Sequence, residues 1–146
     1  MVRFLLFLTL LSVVAIYAWR RGGWPEKAAA TGLVLQVAVD QAYHLLSGTR
    51  GGDFTDVHLW HFFLDLALFG FVIYIALRAD RFWPLWLGGT MIIMLIAHLL
   101  RAMAQMHPDI YAIINRYPFW LAIIVVGIGT AAYDRRNRRA KDAHST

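Results

Sequence analysis

The chain has 146 residues, 60% of them hydrophobic and 16% charged, and its 14 lysines and arginines outnumber 9 acidic groups. Soluble domains carry about a quarter charged residues and under half apolar ones, so a soluble globule and a disordered chain are both excluded. The basic residues stand at the ends of apolar runs instead of sharing one face, which excludes nucleic acid as their partner. There is no cysteine, hence no disulfide, thiolate nucleophile, iron–sulfur cluster, zinc knuckle or covalent c-type haem. No GxGxxG, Walker-type, GxSxG or HExxH motif opens one of the familiar soluble enzyme classes. A mean hydropathy of +0.55 is that of an integral membrane protein.

Five segments approach the roughly 20 apolar residues that cross a hydrocarbon core. They cover 4–19, 28–46, 57–77, 82–103 and 117–133. The first also fits a signal peptide, since Arg3 precedes a short apolar run, but Arg20 and Arg21 follow at once with no small-x-small site before them. Between the fourth and fifth, His107-Pro108-Asp109 up to Arg116 reads as an interfacial turn of helix. Tyr117-Pro118 reads as a break, because proline disfavours helical geometry at the residue before it.

Charge sets the orientation. With the N-terminus outside, the inner loops and tail hold Arg20, Arg21, Lys27, Arg78, Arg81, Arg135, Arg136, Arg138, Arg139 and Lys141. The outer side keeps Arg3, Arg50, Arg101 and Arg116, a split that obeys the positive-inside rule. Aromatic residues that favour the interface agree, with Trp19, Trp24, Trp83 and Trp86 at the inner boundary and Tyr43, Trp60, Tyr117 and Trp120 at the outer one. The expected fold is all-α: a bundle of five transmembrane helices with short loops, N-out and C-in, forming one domain over 1–133. Residues 134–146 are expected to be a mobile basic tail whose Arg135, Arg136, Arg138, Arg139 and Lys141 meet anionic lipid headgroups. Gly70, Gly88, Gly89, Gly127 and Gly129 are expected to permit close helix packing.

This orientation gathers the histidines. Asp40 and His44 fall near the outer end of the second span, His58, His61 and Asp65 at the outer start of the third, and His98 and Arg101 near the outer end of the fourth. Helical spacing puts Gln36, Asp40, His44 and Ser47 on one stripe, His58, His61 and Asp65 on another, and Met91, Met94, His98, Arg101 and Gln105 on a third. Counting inward predicts two layers, with His44, His61 and Arg101 above and Asp40, Asp65 and His98 a turn deeper.

Ionisable residues in a span are costly and face the bundle interior, which marks them for function or for pairing. Asp40, His44, His61, Asp65 and His98 are candidate ligands for zinc, iron, manganese or copper, because imidazole and carboxylate together suit such ions. Gln36, His58, Arg101 and Gln105 would support them, Arg101 offsetting carboxylate charge. Haem b is a related possibility, with His44 or His61 opposite His98, although bulky Leu45, Leu46, Phe62, Phe63, Leu99 and Leu100 leave little room for a porphyrin. Met94 beside His98 hints at copper, but methionine at helical spacing usually fills the core. A proton relay lacks ionisable groups in the inner halves of the helices. The bland reading of the whole cluster is a polar network that fixes helix register.

Asp40-x-x-Tyr43-His44, His61-x-x-x-Asp65, the run Leu77-Arg78-Ala79-Asp80-Arg81-Phe82-Trp83-Pro84-Leu85-Trp86 and His98 together resemble small multi-span proteins of the bacterial inner membrane. The resemblance spans most of the chain and implies that location; it brings no activity, catalytic residue or cofactor with it. The sequence therefore reads as a small membrane protein whose polar cluster binds a metal or haem b. The alternative is a non-catalytic accessory subunit or interaction protein, associating with other membrane subunits or with itself, in which the cluster is only structural. A hole-forming or lysis-related role fits less naturally, because such proteins need interchangeable lipid-soluble helix faces.

Overall fold

The computed structural model describes residues 2–48, 59–103 and 108–144. It is all-α: α1 (Val2–Arg21), α2 (Trp24–Ser47), α3 (Leu59–Arg78), α4 (Trp83–Met103) and α5 (Pro108–His144). Each of α2, α3, α4 and α5 packs on the helix before it, and α5 also packs on α1, which closes the five into a ring. α2 reaches across this ring to touch α5 as well.

Each helix turns one narrow stripe inward. On α1 it is Leu11, Ala15 and Ala18; on α2, Glu26, Ala30 and Leu33; on α3, Leu68, Val72 and Ile75; on α4, Leu87, Met91 and Met94; on α5, Phe119, Ile123 and Val126. The three- and four-residue steps are those of one helix face, and the alanines let neighbouring backbones approach. Large apolar residues point outward: Leu5, Val13, Leu35, Phe63, Leu77, Phe82, Trp86 and Ile128 are all exposed. Water would not tolerate so continuous an apolar surface, whereas lipid requires it. Four segments are long and apolar enough to cross a membrane: Val2–Arg21, Trp60–Arg78, Trp83–Leu100 and Tyr117–Ala143. α2 has the length but not that composition, because Gln36, Asp40, Gln41 and His44 interrupt its apolar run.

The structure departs from the expected elements at the start of α2 and along α5. α2 begins at Trp24 and not at 28, because Pro25 fits the first helical turn, where its missing N–H costs nothing. The turn before it is tight: a Cβ on Gly22 would lie 2.5 Å from the Ala18 carbonyl oxygen and 2.7 Å from Glu26 Cβ. The expected break at Tyr117–Pro118 is absent, since α5 runs through Pro118 and spans 37 residues, on the order of 55 Å. A proline within a helix removes one hydrogen bond, a loss that apolar spans absorb when neighbouring helices pack around it, and Pro118 is buried here.

The same helix carries residues 134–144 of the basic tail. Asp134 is buried and pairs with Arg138 Nη2 at 3.0 Å, while Arg135, Arg136, Arg139 and Lys141 point outward. Among the glycines, Gly70 and Gly89 face open space instead of a neighbouring helix, while Gly127 meets Val14 and Gly129 meets Trp83. The packing role expected of all five therefore holds for only part of the set.

Candidate functional site

α2 and α3 run antiparallel, and their polar residues meet as rungs. Gln36 on α2 meets Asp65 on α3; four residues on along α2, Asp40 meets His61, four residues back along α3. Side chains lean toward the N-terminus of their own helix. In an antiparallel pair, His44 and His61 therefore lean toward one another, and their Nε2 atoms stand 3.2 Å apart. Asp40 Oδ1 lies 3.0 Å from His61 Nε2 and 3.8 Å from His44 Nε2. Two imidazole nitrogens and one carboxylate oxygen thus form a small triangle between two helices.

This triangle is partly open. The side chains of His44, Asp40 and His61 keep 16%, 26% and 27% of their exposure. Tyr43 and Trp60 stack beside it with ring centroids 4.8 Å apart, and Tyr43 lies edge-on to His44 at 5.5 Å. Asp40 Oδ1 is a buried acceptor that takes no hydrogen bond among the described residues, although His61 Nε2 is only 3.0 Å away.

One turn deeper lies a different arrangement. Asp65 Oδ1 accepts from Gln36 Nε2 at 2.5 Å, and Asp65 Oδ2 sits 3.0 Å from His98 Nε2 on α4. All three side chains are buried. Phe62 lies edge-on to His98 at 5.9 Å, and Met91 and Met94 pack in the core below.

The five candidate ligands therefore fall into two sets. Asp40, His44 and His61 converge on a point, while Asp65 and His98 pair with each other and with Gln36. Asp40 also belongs with the upper layer, beside His44 and His61, whereas counting inward along the spans groups it with Asp65 and His98. His58 and Gln105 lie outside the described residues, as does the side chain of Arg101.

The opposite end of the bundle holds a polar cluster that the sequence reading missed. Glu26, in the first turn of α2, is fully buried. Its Oε2 accepts the Gly23 N–H at 3.0 Å, the glutamate half of a capping box. Its Oε1 accepts Arg81 Nη1 at 2.6 Å and Trp83 Nε1 at 3.0 Å. The Arg81 guanidinium in turn lies 4.4 Å from the centroid of the Tyr133 ring on α5. One carboxylate thus fastens α2, the α3–α4 connection and the start of α4 together, with α5 held through Arg81. The available signal was Gly23-Trp24-Pro25-Glu26, with Glu at the third helical position.

The fit around Trp83 is close. A Cβ on Gly129 would lie 2.7 Å from Trp83 Cδ2, so any side chain there displaces the indole that donates to Glu26. Gly129→Leu is expected to destabilise the protein by about 1–3 kcal/mol, read as an earlier unfolding midpoint in detergent. Gly89→Leu, at a position with open space around it, is the control and should leave the midpoint unchanged.

No protein family, curated protein or solved structure matches the chain.

Proposed function

We propose that this chain is a small membrane protein that binds a divalent transition metal ion through Asp40, His44 and His61. The observation that carries the reading is the size of the triangle. In a tetrahedral site with bonds of about 2.0–2.1 Å, ligand atoms stand about 3.3 Å apart, and the three edges here are 3.0, 3.2 and 3.8 Å. The three groups lie within 4.8 Å of one another, and partial exposure suits an ion that enters from solution. Three protein ligands leave a fourth position for water or another molecule, the pattern of an exchangeable site. The nitrogen and oxygen donors favour zinc, iron or manganese over copper(I), which prefers sulfur.

Haem b fits less well. Axial histidines must stand on opposite faces of the macrocycle, and a gap of 3.2 Å between His44 and His61 admits no porphyrin. His98 Nε2, the other axial candidate, is directed at Asp65. The register reading keeps its force for Gln36, Asp65 and His98, whose polar atoms meet one another in the interior. An accessory or self-associating role would be compatible with either set.

The same proposal places the protein in a bacterial inner membrane, N-out and C-in, with all five helices spanning. Its support is the crowding of ten of the 14 basic residues at the Glu26 end of the bundle and on the α5 extension. There Arg135, Arg136, Arg138, Arg139 and Lys141 would meet anionic headgroups, at about 1 kcal/mol each near the surface. The triangle then opens on the outer side.

Elemental analysis of protein purified without nickel resin or chelator tests the metal reading. Near-stoichiometric metal is expected in the wild type and none in His61→Ala. Metal-free wild type that also fails to take up added zinc would retire it.

A further inference from the structure

We propose that Gln36, Asp65 and His98 are positioning residues for the metal triangle, setting its affinity without touching the ion. The inference rests on the metal reading above and deepens it.

The two sets share their helices at one-turn spacing. Gln36 precedes Asp40 by four residues on α2, and Asp65 follows His61 by four on α3. Any rotation or slide of α3 against α2 that opens the Gln36–Asp65 rung also changes the Asp40–His61 distance, because both rungs lie on the same two rigid cylinders. A metal site needs its ligands held within about 0.5 Å. The triangle is held less firmly, since it is partly exposed and Asp40 Oδ1 takes no hydrogen bond among the described residues.

The lower rung can. Asp65 is gripped from both flanks, by Gln36 of α2 on Oδ1 and by His98 of α4 on Oδ2. His98 is 2% exposed, Asp65 6% and Gln36 8%, so solvent does not compete for these bonds. With both oxygens engaged, Asp65 is poorly placed to bind an ion itself. Its chemistry is that of a fixed bracket, and outer partners of this kind typically tune metal affinity by 10- to 100-fold.

Zinc titration of the full chain in detergent micelles, against a competing chromophoric chelator, tests this. His98→Ala is expected to weaken zinc binding at least about tenfold, and His98→Gln, which keeps a donor toward Asp65, should recover most of that loss. Ile75→Ala truncates a fully buried core residue on the same helix; it should lower the unfolding midpoint and leave zinc affinity unchanged. That contrast separates positioning from general loosening. Gln36→Met removes only the donor to Oδ1 and carries the same expectation if His98→Ala does not fold. Wild-type affinity in His98→Ala, or an equal loss in Ile75→Ala, would overturn the inference while leaving the metal site standing. Failure of the wild type to bind zinc would overturn the metal reading itself.

Discussion

Arg81→Ala is expected to destabilise the bundle by about 3–5 kcal/mol, the usual cost of stranding one charge of a buried pair. Glu26 has no exposure at all, while the Arg81 side chain keeps 19% of its own. The two partners therefore differ in what their loss leaves behind. Removing Arg81 leaves a buried carboxylate with only the Gly23 and Trp83 N–H groups for company among the described residues. Removing Glu26 leaves a guanidinium that still reaches solvent and still faces the Tyr133 ring. Glu26→Ala should accordingly cost less than Arg81→Ala, and the double variant less than the sum of the two. Unfolding midpoints against a denaturing detergent, converted to free energies and compared with Arg78→Ala, would show this. Arg78 is exposed at the end of α3. An Arg81 effect no larger than the Arg78 effect would mean that the Glu26 cluster is incidental to stability.

Where the hydrophobic pattern was strong, the sequence located the helices. α3 and α4 end and begin within a residue of the expected limits, because Arg78, Asp80 and Arg81 punctuate two long apolar runs there. The limits went astray where a polar residue was compatible with helix. Trp24, Pro25, Glu26 and Lys27 look like loop to a hydropathy count, yet they are a well-formed first turn. Pro118 looks like a break because proline punctuates helices in water, whereas an apolar span tolerates it. The charged run after Tyr133 reads as a tail, yet Asp134 and Arg138 continue α5 as a helix supported by an i, i+4 pair.

The candidate site was legible by residue type and by helical face, but not by depth. Spacing alone put Asp40, His44, His61, Asp65 and His98 on inward stripes, and the described side chains do face one another. What spacing cannot give is the offset of α3 against α2, which decides whether Asp40 meets His61 or Asp65. That offset depends on the rungs themselves, on close contacts such as Gly32 against Phe71 and Leu68, and on the stacking of Tyr43 on Trp60. Glu26 was illegible for a different reason. Its partners Arg81 and Trp83 are 55 and 57 residues away, and in the sequence Arg81 reads as one more basic residue of an inner loop.

Asp40→Asn is expected to act in opposite directions on binding and on stability, which separates a ligand from a member of a structural network. As a ligand, Asp40 supplies the one negative charge in the triangle. The amide that replaces it should weaken zinc binding by more than about 100-fold, a larger loss than for a residue that only orients a ligand. In the metal-free protein the same change should be neutral or favourable. Asp40 Oδ1 is a buried acceptor without a hydrogen bond among the described residues, and such a group costs about 1–3 kcal/mol, while an amide of equal size adds N–H groups that face two imidazole nitrogens. Zinc at 100 times the wild-type dissociation constant should stabilise the wild type by about 2.7 kcal/mol and Asp40→Asn by less than about 0.4 kcal/mol. The measurement is the unfolding midpoint of both proteins with chelator and with zinc. If Asp40→Asn were clearly destabilised in chelator and gained as much from zinc as the wild type, Asp40 would be holding helices together and not an ion. A site that keeps a carboxylate oxygen without a hydrogen bond among the described residues between two histidines, in a bundle that brackets Asp65 on both sides one turn below, sacrifices local stability where function would require it.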